Sequence, residues 1–233
     1  MSNPYFQFKQ FTVRHDRCAM KVGTDGVLLG AWAPLPASGH GLDIGTGTGL
    51  VALMAAQRAA AMQFTGIDID KTAVAQAREN VAASPFASRV HIEQCAVQDF
   101  RPGHLFQAIL CNPPFFEESL LPPDAGRMAA RHARLLTFQQ LAESAARLLS
   151  ADGLFSVVLP TAAIPTFRAL CFDQGLHLRR RCDVCTTAAK APKRTLACFS
   201  RTAIEPIAET LVLQQGNART KAYRTLCKDF YLY

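Results

Sequence analysis

Leu42-Asp43-Ile44-Gly45-Thr46-Gly47-Thr48-Gly49-Leu50 joins a short apolar run to an alanine-rich segment, Leu50 to Arg58, through three alternating glycines. The apolar run reads as a buried strand and the alanine-rich segment as a helix, which makes the stretch the strand–loop–helix unit of an open α/β sheet. Without Cβ atoms the loop can take positive φ and approach a ligand closely, and the helix start behind it adds oriented N–H groups. Something anionic or zwitterionic belongs there. The competing reading is a glycine-rich turn that holds no ligand. The spacing is G-x-G-x-G with Asp43 two residues ahead of the first glycine, not the G-x-G-x-x-G of dinucleotide enzymes.

Downstream, Gln63-Phe64-Thr65-Gly66-Ile67-Asp68-Ile69-Asp70 reads as a second strand ending in acids about twenty residues past the glycines, where a carboxylate can accept both hydroxyls of a ribose. Asp68 is the choice for that role. Asp70 reads as the cap of a helix from Lys71 to Val81, whose Ala73, Val74, Ala77 and Val81 form an apolar stripe. Val90-His91-Ile92-Glu93 is a third strand. Phe106-Gln107-Ala108-Ile109-Leu110 is a fourth, and Cys111-Asn112-Pro113-Pro114-Phe115-Phe116 ends it, because two successive prolines remove backbone donors. A carboxamide, two rigid carbonyls and an aromatic ring therefore stand at the C-terminal edge of a strand, where open α/β sheets place their sites. The bland alternative is a proline-rich turn. Residues 117–137 have little pattern and read as a substrate-ordered loop. A helix from Phe138 to Leu149, a strand Leu154 to Leu159, a helix starting near Pro165 and a strand Leu176 to Val184 restore the alternation; Thr195 to Phe199 pairs back as a hairpin. The expected fold is α/β and Rossmann-like: a mostly parallel seven-stranded sheet with helices on both faces, in one domain spanning 1–233.

Upstream, Phe6, Phe8, Phe11 and Val13 alternate as an edge strand does. A polar, glycine-containing loop then leads into a short helix that Thr24 or Asp25 would cap. The loop could instead cover a cofactor, with Lys21, Thr24 or Asp25 meeting its charged end.

The 233 residues, 49% of them apolar, suffice for one core. The chain has no run of eighteen apolar residues, and its start lacks an export signal's basic-then-apolar pattern, so a cytoplasmic protein is expected. Eight cysteines are scattered through it, several in apolar runs, which argues against a disulfide framework. Cys182-Asp183-Val184-Cys185 has metal-ligand spacing but no second pair, so no metal is expected. The net charge of +7 comes from the end of the chain: residues 178–233 hold 11 Lys and Arg against 4 Asp and Glu. Such a field suits a polyanion, although a solvated basic face is equally compatible.

The glycine loop with Asp43 resembles the first motif of class I S-adenosylmethionine-dependent methyltransferases, and Asn-Pro-Pro-aromatic resembles the motif of those that modify a planar amino group. Phe8-Lys9-Gln10-Phe11, His15 to Gly26, Leu29 to Pro34, Asn112 to Phe116, Ala130-Arg131-His132 and Phe230-Tyr231-Leu232 together resemble the bacterial tRNA(Val) adenine-N6 methyltransferases over essentially the whole chain. That resemblance implies S-adenosylmethionine as cofactor, held by Lys21, Thr24, Asp43, Gly45, Gly47, Gly49, Asp68 and Asn112, and transfer to the adenine 3′ of the anticodon in tRNA. Related enzymes carry an acid after the third strand for the cofactor's adenine; here Ala96 stands there, which leaves the backbone of Ala96 and Val97, or Asp99. Asn112 and the Pro113 carbonyl would accept the amine hydrogens and Phe115, where many relatives have Tyr, would stack on the base. Arg131, Lys193 and Arg194 are the candidates for RNA contact along the anticodon arm. A protein glutamine as acceptor, whose amide nitrogen poses the same geometric problem, is the other enzymatic reading, and an RNA-binding module with a relic pocket the non-enzymatic one.

Overall fold

A computed structural model describes residues 3–18, 20–113 and 136–232. The chain opens with β1 (Tyr5–Gln7) and β2 (Thr12–Arg14), an antiparallel pair separate from the main sheet. The expected edge strand is thus a ribbon folded on itself, because period-2 alternation buries one side equally well in either setting. Phe8, Phe11 and Val13 are buried, and Phe8 stacks on Phe11 at 4.8 Å and on Tyr231, near the other end of the chain, at 6.1 Å between centroids.

There follow α1 (Thr24–Trp32), β3 (Ser38–Ile44), α2 (Leu50–Arg58), β4 (Ala61–Asp68), α3 (Lys71–Ala82), β5 (Val90–Gln94) and β6 (Phe106–Cys111). After the undescribed 114–135 come α4 (Phe138–Leu148), β7 (Leu149–Pro160), α5 (Ile164–Asp173), β8 (His177–Cys185), β9 (Arg194–Ser200) and β10 (Ile207–Val212). A small hairpin, β11 (Gln214–Gln215) with β12 (Ala218–Arg219), and α6 (Lys221–Cys227) complete the order. Local chemistry starts several helices. Asp70 accepts from Thr72 N–H at 2.8 Å to cap α3, and Thr137 and Gln140 form a reciprocal capping box on α4, at 3.1 and 3.0 Å. Helix α1 departs from expectation: it starts one residue early, at Thr24, so its N-cap is Gly23, which has no side chain to offer, while the Asp25 carboxylate accepts from Arg194 at 2.9 Å.

The main sheet has the order β10-β8-β9-β7-β6-β3-β4-β5, and β9 alone runs against the others. It carries one strand more than the seven expected. The extra strand, β10, pairs parallel to β8 and is mostly exposed, so its sequence lacks the apolar run that marks the inner strands. Strand alternation divides the core. Leu42, Ile44, Ile109, Cys111, Phe155 and Val157 meet α4 and α5 on one face; Ala108, Leu110, Val158, Leu196 and Cys198 meet α1, α2 and the N-terminal ribbon on the other. Arg58 at the end of α2 donates to the carbonyls of Gly30 and Ala33, at 2.9 and 2.8 Å, and so ties α1 to α2.

Candidate active site

The chain leaves β3 for β4 and β5 on one side and returns to β6 on the other, so the sheet order reverses between β3 and β6. At such a reversal the loops above the strand ends part and leave a crevice. The last ladder pair there is Ile44 with Cys111, which sets Gly45 and Asn112 side by side at one edge. Ile44 also pairs with Ile67, which brings Asp68 to the same edge from the opposite side.

The loop itself is built as its glycines predict. Gly45, Gly47 and Gly49 have φ of +69°, +53° and +82°, a region that a Cβ makes costly. Gly45 and Thr46 N–H donate to the Ile67 carbonyl at 2.9 and 3.0 Å, and Gly47 N–H donates to the Asp68 carboxylate at 2.9 Å. Nothing stands within 4 Å of where a Cβ on Gly45 would lie. An open backbone cradle beside a carboxylate suits the zwitterion and ribose of an adenosyl amino acid.

The side chain of Asp43, expected to touch the cofactor, is buried. Alternation turns its side chain toward α2, where it is 1% exposed and accepts from Thr46 Oγ1 at 2.7 Å and from Ala52 N–H at 3.1 Å. It satisfies one of the first-turn donors of α2 and fixes the loop from beneath. Burial pushes its carboxyl up to about 7, outweighing the two hydrogen bonds that favour the charged form.

Asn112 and Pro113 follow β6, Asn112 half-buried and Pro113 buried. The Asn112 Nδ2 faces α1: a Cβ added to Gly26 would stand 3.5 Å from it and 3.2 Å from Leu50. Helix α1 therefore forms a wall of the site, and Lys21 and Thr24 lie exposed at its start. The pair of Asp25 with Arg194, 169 residues apart, locks this end of α1 to β9.

Ala96 is partly exposed and Val97 buried, with the Val97 carbonyl taken by Arg147 at 2.8 Å; Asp99 is exposed, its N–H donating to the Ala96 carbonyl at 3.0 Å. Lys193 is exposed beside Arg194 at the same edge of the sheet, since β9 begins where β8 ends. Phe115, Arg131 and the loop 117–137, apart from Leu136 and Thr137, lie outside the described residues. Cys182 and Cys185 are buried three apart on one strand, hence on opposite faces. Among the described residues no three His, Cys, Asp or Glu side chains gather to hold a metal ion, and no helix is long and apolar enough to cross a membrane. Two cavities, of about 570 and 500 Å³, lie away from the glycine loop: one between the N-terminal ribbon and α3, the other beside β5. The site is accordingly defined by its chemistry rather than by either of these cavities. Sequence reading missed two members of this region, the buried carboxamides Gln76 and Asn80 of α3. Their spacing of four, beside the apolar stripe, is the signal that could have found them.

Sheet order, glycine cradle and edge carboxylate define the Rossmann-like fold of methyltransferases. Solved structures share it: a predicted O-methyltransferase from Agrobacterium tumefaciens aligns with a TM-score of 0.66 at 16% identity, over 88% of this chain and 96% of that one. The glycopeptide N-methyltransferase MtfA complexed with S-adenosylmethionine aligns at 0.56 and 13%, over 78% and 90%. Residues 23–170 match the family model of the methyltransferase small domain. The tRNA1(Val) (adenine(37)-N6)-methyltransferase of Phocaeicola vulgatus is 47% identical over 100% of this chain and 99% of its own length, and its namesake from Pseudoalteromonas translucida is 41% identical over 97% and 98%. The chain belongs to the family of these methyltransferases.

Proposed function

We propose that the chain, as one domain acting in the cytoplasm, methylates the exocyclic amine of an adenine in tRNA, adenine 37 of tRNA1(Val), with S-adenosylmethionine as methyl donor. The observation that carries this reading is the adjacency of Asn112 to the glycine loop at the sheet's reversal point, in a chain alike over its whole length to enzymes of that name. The cradle would hold the donor through Gly45, Gly47 and Asp68, with Lys21 and Thr24 at the mouth. When bound, that group supplies an electrophilic methyl.

The chain's own residues solve the acceptor's problem. An adenine amine is planar and its lone pair is spread into the ring, which makes it a weak nucleophile. The Asn112 oxygen and the Pro113 carbonyl accept its two hydrogens, favour a pyramidal nitrogen and aim the lone pair across the edge toward the cradle. Alignment of this kind lowers the barrier by several kcal/mol. By the family resemblance Phe115 would stack on the base, and the acceptor would be turned out of an anticodon-arm loop, where unstacking costs less than in a duplex. The nitrogen's proton leaves readily once nitrogen carries positive charge, so no general base is required. Lys193, exposed at that edge of the sheet, would contact a phosphate of the arm, as would Arg131 by the family resemblance; Arg194 holds α1 through Asp25 and shapes the surface beside it.

Incubation with labelled S-adenosylmethionine and a cell extract, followed by nuclease or protease, separates the acceptor classes. Label released by nuclease, and its absence from a tRNA1(Val) transcript carrying guanosine at position 37, is the expected result. Label that survives nuclease and yields to protease would make a protein glutamine the acceptor.

A further inference from the structure

Gln76 and Asn80 are 0% and 2% exposed, although they are polar side chains on a helix at the periphery of the sheet. What covers them is the segment 14–17. Asn80 spends its whole carboxamide: Oδ1 accepts from Arg14 N–H, while Nδ2 donates to the Arg14 carbonyl and to the Thr48 carbonyl, each at 2.9 Å. Gln76 accepts from Arg17 N–H at 3.1 Å and donates to the Asp16 carboxylate at 2.8 Å. Asn80 thus stands in for the neighbouring strand that β2 lacks at Arg14, and Gln76 holds the two residues 16 and 17 just beyond it.

The third bond of Asn80 distinguishes it from a packing residue. Thr48 lies in the cradle, between two glycines of left-handed conformation, and its carbonyl is held by the same NH2 group that holds Arg14. The segment continues toward the cradle. Cys18 lies near enough to Asp68 and Asp70 that, after burial, their charges help push its thiol up to about 11. His15, itself buried, accepts from Val22 N–H at 3.4 Å, which carries the same restraint on to the start of α1.

We infer that Asn80 and Gln76 are positioning residues that couple the N-terminal segment 14–18 to the glycine loop, so that binding of an adenosyl ligand and ordering of that segment beside it are a single event. The inference rests on the reading of the glycine loop as an adenosyl site. A buried carboxamide keeps its bonds only while both partners are in place, so a ligand that orders Thr48 orders Arg14 through one group.

The test combines calorimetry with hydrogen exchange, using S-adenosylhomocysteine as the probe on the full chain. In the wild type the probe slows exchange in 12–18 as well as in 45–49. Asn80→Ala weakens the probe at least tenfold, and the protection it confers is confined to 45–49. Asp16→Ala, at an exposed side chain whose loss leaves the core intact, opens the Gln76 contact alone; it weakens the probe about threefold and speeds exchange at 14–18. Wild-type affinity and wild-type protection in Asp16→Ala would overturn the coupling whether or not Asn80→Ala folds. So would a wild-type segment equally protected with and without the probe. A wild type that does not bind the probe at all would instead remove the adenosyl reading beneath it.

Discussion

Asp68, the carboxylate proposed for the ribose, is held by backbone N–H groups on both sides. It ends a strand about twenty residues after the glycines, and the structure puts its carboxylate on Gly47 N–H and on Asp70 N–H, both at 2.9 Å. Asp68→Ala removes a charged acceptor from the cradle and, on the proposed reading, from the ribose, and should weaken S-adenosylhomocysteine by roughly ten- to a hundredfold in calorimetry, the worth of one or two charge-assisted hydrogen bonds. Unchanged affinity would place the ribose elsewhere. Asp43 occupies a motif position that suggests contact, and its side chain points into the sheet–α2 layer, a placement set by strand alternation. Its carboxyl, pushed up to about 7, favours the protonated form in the folded state. Its contribution to stability is therefore complete below about pH 4, the range of a free Asp, and is lost as pH rises through 7. Urea unfolding between pH 4 and 8 should show that decline in the wild type and a flatter profile in Asp43→Asn, which keeps an acceptor for Thr46 and Ala52. An equal slope in both would assign the pH dependence to other groups.

Elements were legible where their cause is local. The cap at Asp70, the helix start near Pro165 and the β8–β9 hairpin follow from residues within a few positions. The capping box on α4 is equally local, although the sequence pattern assigns Thr137 to the loop before it, and Thr137→Ala should cost about 1 kcal/mol in urea denaturation, the usual worth of an N-cap. A loss below a few tenths would mean the helix is held by packing alone. What escaped reading has distant causes. The N-terminal ribbon and an edge strand share one alternation, and only the aromatic partners Phe86 and Tyr231 decide between them. Strand β10 has too little apolar surface to announce itself. The cap of α1 fell elsewhere because the helix begins at Thr24, which puts Asp25 inside its first turn, where it pairs with Arg194 far along the chain.

At the scale of the whole molecule, the basic C-terminal part is partly consumed by structure. Arg180 binds Glu209 through two hydrogen bonds, at 3.0 and 2.9 Å, and lies 4.6 Å from the Trp32 ring centre; Arg181 pairs with Asp183 and Arg194 with Asp25. Lys190 and Lys193, by contrast, are exposed on the β8–β9 turn at the edge where Asn112 emerges. Lys193→Ala should raise the KM for tRNA and reduce the slope of log affinity against log salt by about 1, the signature of one phosphate contact. An unchanged slope would leave that turn a solvated surface. Charge asymmetry was visible in the sequence, but which charges face outward depends on partners that folding alone brings together. The central claim is that Asn112 grips the adenine amine, and methyl transfer by Asn112→Ala tests it most directly, read as N6-methyladenosine in tRNA1(Val) by nucleoside mass spectrometry alongside S-adenosylhomocysteine calorimetry. A fall in turnover of about a hundredfold or more, with probe affinity within about threefold of wild type, is predicted from the loss of one preorganised polar group at the reacting centre. Near-native turnover would contradict it.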